Sequence, residues 1–105
     1  MKTGDADAAG RMLRRHLLIH GRVQGVGYRQ SLAATAGALG LLGWVRNRRN
    51  GSVEALLEGR AERVEALTQW AQRGPPEARV DRIDRIDQPA GEEEALAGFK
   101  IHPTL

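Results

Sequence analysis

Two stretches of this chain concentrate groups able to grip an anion and act beside it: GRVQGVGYR at residues 21–29 and GWVRNRRNGSVE at residues 43–54. The first follows an apolar run at 17–19 and leads into a helical pattern at 31–41, so its glycines fall at a strand-to-helix turn. Successive backbone N–H groups converge at such a turn, and the helix terminus adds positive potential, which suits a phosphate. Gly21, Gly25 and Gly27 carry no Cβ, so the main chain there can take positive φ and approach an anion closely. Arg29 then lies in the first helical turn, where its planar fork can hold two phosphate oxygens and keeps its charge at any working pH. The string is neither GxxxxGK[ST] nor GxGxxG, so a nucleotide-binding fold is not indicated. In the second stretch Asn47 ends an apolar run. Taken alone it reads as a turn residue satisfying local backbone groups.

The elements around these groups are short. Residues 16–20 read as a strand, with Leu17 and Ile19 on one face and His16, Leu18 and His20 on the other. A helix over about 28–39 sets Leu32, Ala36 and Leu39 on one stripe. Strands over 42–47 and 52–58 flank residues 48–51, where Asn50-Gly51 is a strong hairpin signal. A second helix over about 61–73 turns Val64, Leu67, Trp70 and Ala71 inward and stops at Gly74-Pro75-Pro76. In RVDRIDRID, Val80, Ile83 and Ile86 recur every third residue, a spacing closer to helix than to strand alternation. Residues 88–98, with the Glu92 to Glu94 run, read as a loop, and 99–102 as a last strand. Residues 1–11 are polar with no apolar periodicity, which predicts a mobile tail over 1–12 and one domain over 13–105.

Both stretches, in this order and at helix-length separation, resemble the two signatures of the acylphosphatases, enzymes that hydrolyse the mixed anhydride between a carboxylate and phosphate. Gly21 to Val26 with Tyr28 and Arg29 match the first signature; Gly43, Trp44, Val45, Asn47, Gly51 and Val53 match the second. The resemblance runs from about Arg14 to the end of the chain and implies that RVDRIDRID, residues 79–87, forms a strand, bulged or not, rather than a helix. The order is then βαββαβ, an α+β fold with an antiparallel sheet and two helices on one face, the ferredoxin-like sandwich. It further implies that Arg29 binds the substrate phosphate, that Asn47 orients the attacking water, and that backbone amides of Gln24, Gly25, Val26, Gly27 and Tyr28 complete the cradle, their side chains mattering less. An amide in that place accepts one hydrogen bond and donates another without adding charge beside the phosphate. Neither a metal, a cofactor nor a covalent intermediate is implied. Trp44 and Tyr28 are expected to pack and hold their neighbours still.

Composition agrees. At 105 residues one domain is expected, and the absence of cysteine excludes disulfides and thiol nucleophiles. No apolar stretch approaches the roughly 20 residues that span a bilayer, and no signal-peptide h-region stands at the N-terminus, so the expectation is a cytoplasmic monomer with no membrane partner. His16, His20 and His102 lack metal-ligand spacing. The formal charge of +3 rests on 14 Arg against 2 Lys, and Arg22, Arg29, Arg46, Arg48 and Arg49 crowd the two motifs, where a positive mouth would steer anions. The partner expected is a small acyl phosphate. Two alternatives are a carbamoyl-phosphate-processing domain, because a similar domain begins larger hydrogenase-maturation carbamoyltransferases, and a non-catalytic module gripping phosphate or RNA. Nucleic acid is not the expected partner, because an RNA-binding sheet displays stacking aromatics and this chain has few.

Overall fold

The computed structural model describes residues 11–90 and 96–105. The expected tail, save its last two residues, and the Glu92 to Glu94 run lie outside the described residues. The elements are β1 (Met12–Arg22), α1 (Tyr28–Ala38), β2 (Leu42–Asn47), β3 (Val53–Arg60), α2 (Ala61–Ala71), β4 (Arg79–Pro89) and β5 (Phe99–Ile101). They build a single sheet in the order β4-β1-β3-β2-β5. The first four strands pair antiparallel, as expected, while β5 adds parallel to β2 and makes the sheet mixed.

Alternation along β1 sorts the two faces. Leu13, Leu17 and Ile19 meet Val45, Val53, Ala55 and Leu57 beneath the helices, together with Leu32 and Ala36 of α1 and Val64, Leu67 and Ala71 of α2. Burial of each large aliphatic side chain there contributes about 1.5–3 kcal/mol. The opposite face is polar yet closely covered, because long side chains pair across it: Arg14 lies directly opposite Glu58 and donates to its carboxylate from Nε at 2.7 Å. Arg15, on the helix side, is buried and bonds Asp87 of β4 together with Glu65 and Thr68 of α2, which fastens the sheet edge to that helix.

Residues 79–87 form a strand, within β4, and the three-residue spacing from Val80 to Ile83 has a local cause. Ile83 pairs with Ile19 and His20 with Arg82, but Gly21 pairs with Val80, so Asp81 is an extra residue in a β-bulge. The insertion lets Val80 and Ile83, three apart, pack on the same core. No second bulge follows, and Ile86 emerges on the other face, 68% exposed. The same strand runs on through Gln88 to Pro89, residues expected in a loop, because they pair with Arg14 and Leu13.

Candidate active site

Residues 23–27 join β1 to α1, and two glycines shape them. Gly25 and Gly27 sit at φ +77° and +80°, conformations that L side chains rarely adopt, and a Cβ on either would point into open space. Their backbone shape, not crowding, therefore calls for glycine. Gly27 caps α1 from the left-handed region without any side-chain bond, and the first turn of that helix carries no acidic residue, so its free N–H groups keep their positive potential.

A cavity of about 550 Å³ opens at this helix terminus. Gln24, Gly25, Gly27, Tyr28 and Arg29 line it from the loop and helix, Asn47 from the end of β2, and Val23, Gln30 and Ser31 complete the wall. Five of the six residues expected in the loop and at its arginine thus meet Asn47 in one wall. The sixth, Val26, packs instead against the core and is not part of the wall. Among the described residues, two buried side-chain polar atoms lack a hydrogen-bond partner: Nε of Arg29 and Oδ1 of Asn47. Buried polar atoms are almost always paired, because leaving one unpaired costs about 1–3 kcal/mol. Both exceptions belong to the same cavity, one a donor and the other an acceptor.

The supports of these two residues differ. Tyr28, next to Arg29, is buried, donates its hydroxyl to the Ala71 carbonyl at 2.7 Å and lies 5.5 Å from the Trp70 ring; burial pushes its phenol well above the usual range. It is a packing residue, as expected, and it anchors the start of α1 to the end of α2. Asn47 is opposite Val53 in the hairpin. The turn beyond it is closed by Asn50, whose Oδ1 accepts from the Ser52 N–H at 3.0 Å and the Ser52 hydroxyl at 2.6 Å, the local role expected of that residue.

Three features were not legible in the sequence. The Gln24 side chain, expected to matter little, reaches the hairpin and donates from Nε2 to the carbonyls of Arg48 at 2.7 Å and Ser52 at 2.8 Å. No local signal marks a glutamine for a contact 24 and 28 residues away. The C-terminus also docks here: the Leu105 N–H donates to the Asn47 carbonyl at 3.1 Å, and the Arg49 N–H donates to the Leu105 carbonyl at 3.2 Å. Finally, Glu54 lies buried on the open sheet face and accepts from Arg46 and Arg48, with His16 at 2.6 Å. Burial alone would raise the Glu54 carboxyl; hydrogen bonds from His16, Arg46 and Arg48 outweigh it and lower the group to about 2. Of the five arginines near the motifs, two are therefore engaged by this carboxylate rather than free to face an anion. The hairpin register, which sets Arg46 opposite Glu54, was the available clue.

The other histidines are also engaged. His20 contacts Asp84 at 3.0 Å, and His102 stacks on Trp44 at 5.3 Å between ring centres, with Arg46 over the same indole at 4.8 Å.

Residues 15–101 match the Acylphosphatase family model. An acylphosphatase of Thermococcus kodakarensis is 53% identical over 90 residues, covering 85% of this chain and 94% of that protein. The crystal structure of acylphosphatase from Bacillus subtilis superposes with a TM-score of 0.81 at 32% identity, covering 86% of this chain and 98% of that one. Full-length HypF, in a phosphate- and nucleotide-bound form, contains a similar unit: TM-score 0.77 at 28% identity over 90% of this chain, but only 12% of HypF.

Proposed function

This chain belongs to the acylphosphatase family, and on that premise we propose that it hydrolyses acyl phosphates to a carboxylate and inorganic phosphate, with Arg29 and the 24–28 amides holding the phosphate and Asn47 aligning the water. The observation that carries this reading is the pair of unpartnered buried atoms, Arg29 Nε and Asn47 Oδ1, in one cavity at a helix N-terminus.

The chemistry asks little beyond placement. The transferred phosphoryl group passes through a loose transition state with charge spread over three equatorial oxygens, and a carboxylate is already a good leaving group. The arginine fork and the amides of the first helical turn meet that charge with fixed donors. Asn47 Oδ1 accepts a hydrogen bond from water and turns an oxygen lone pair toward phosphorus. The new P–O bond forms as the bond from phosphorus to the carboxylate oxygen breaks; the carboxylate leaves with the electron pair, and the water protons pass to phosphate and solvent. A neutral amide suits this role, because a carboxylate there would repel the dianion.

The site of attack is testable by isotope. Benzoyl phosphate turned over in ¹⁸O-labelled water is expected to place the label in inorganic phosphate and none in benzoate. Label in benzoate would mean attack at the carbonyl carbon and would overturn the proposed alignment.

A further inference from the structure

We infer that Gln24 is a positioning residue that sets the distance between the two halves of the site, a role that rests on the hydrolase reading above. The halves come from separate parts of the chain. The amide cradle and Arg29 belong to the β1–α1 connection and the first turn of α1, whereas Asn47 ends β2 and is followed at once by the 48–52 turn. In-line attack needs the water held by one half to meet phosphorus held by the other within a few tenths of an ångström, and a shift of about 1 Å can cost about 10²-fold in rate.

Gln24 spans that gap. Its single Nε2 donates both hydrogens to carbonyls at the mouth of the turn, Arg48 O at 2.7 Å and Ser52 O at 2.8 Å. No other hydrogen bond joins residues 23–27 to residues 48–52 among the described residues. The turn does not need the glutamine for its own closure. Arg48 O also accepts from the Gly51 N–H at 3.1 Å, and Ser52 O from the Arg48 N–H at 2.8 Å, so neither carbonyl loses its last partner when Gln24 is removed. The tie therefore adds little to hairpin satisfaction and fixes instead where the hairpin stands relative to the loop. Two donors on one planar nitrogen hold the loop against two acceptors, which restrains rotation as well as distance.

Benzoyl phosphate turnover, inorganic phosphate affinity and thermal midpoint are the measurements, made on the unmodified protein and on Gln24→Met and Gln24→Glu. Turnover by the unmodified protein comes first; its absence removes the hydrolase reading, independently of Gln24. Methionine fills the same volume without a donor. Gln24→Met is expected to lower kcat tenfold to a hundredfold, with phosphate affinity within about twofold of the parent, because each half of the site stays intact while their separation is loosened. Glutamate keeps the shape but turns an acceptor toward two carbonyls; once protonated it regains one donor. The Gln24→Glu rate relative to the parent is therefore expected to climb as pH falls through the carboxyl pKa, a trend that a packing role would not produce. Parent-like kcat in Gln24→Met, or a loss of phosphate affinity equal to the loss of rate, would overturn the inference. So would unfolding of that variant at the assay temperature, which would assign the tie to the fold.

Discussion

In the proposed reaction Arg29 and Asn47 divide the work by charge. There the guanidinium would meet the phosphate with a cationic fork, while the neutral amide would handle water without competing for the cation. Replacing Asn47 by Asp keeps the shape and adds a negative charge beside the bound dianion. Asn47→Asp is expected to lower kcat on the order of 10²-fold and also to weaken phosphate binding, where an uncharged truncation at the same position would spare binding. A competition assay with inorganic phosphate reads the difference. That the two residues share one cavity was legible in the sequence, since each is embedded in a motif whose neighbours are fixed by backbone needs: positive φ at Gly25 and Gly27, and a hairpin turn closed by Asn50. Gln24 belongs to the first motif, yet its contacts with the hairpin were illegible, because the partners of its side chain are carbonyls distant in sequence and a carbonyl carries no residue identity.

At the scale of elements, hydrophobic spacing foretold both helices and the hairpin closely and misled in β4, where one extra residue sets Val80 and Ile83, three apart, on the same face and Ile86 falls on the other. Spacing reports faces, and a bulge changes which face comes next. The β2–β3 hairpin carries a second device that alternation does not reveal: Glu54 gathers His16, Arg46 and Arg48 on the open face. Its carboxyl is held at about 2 against an ordinary 4.5, so its contribution to stability is present in full above pH 4.5 and is lost as pH falls from there toward 2. Glu54→Gln removes the charge that the two arginines share. Thermal midpoints recorded across pH are expected to show the parent well above Glu54→Gln at pH 6, with the gap narrowing between pH 4.5 and 2; a gap of constant size would mean that Glu54 is not charged in the folded protein.

For the molecule as a whole, the sheet order brings together residues that the chain keeps apart. Loop 23–27, the end of β2 and the C-terminal Leu105 converge at one end of the sheet, and β5, added parallel to β2, carries the C-terminus there. The charge of +3 is less available to an anion than its arginine count suggests, since Glu54 engages Arg46 and Arg48. Steering of a dianionic substrate is therefore expected to be modest: kcat/KM should fall only a few-fold between 0.01 and 0.5 M salt, a range over which the Debye length shrinks from about 30 Å to below about 8 Å. A fall of a hundredfold would mean that those arginines face the substrate. The division of labour is tested most directly by benzoyl phosphate turnover and inorganic phosphate affinity measured together on the unmodified protein, Arg29→Ala and Asn47→Ala, each confirmed as folded. Loss of both turnover and phosphate binding in Arg29→Ala, with loss of turnover but retained phosphate binding in Asn47→Ala, is the expected result. Turnover that survives in Asn47→Ala, or phosphate binding that survives in Arg29→Ala, would contradict it.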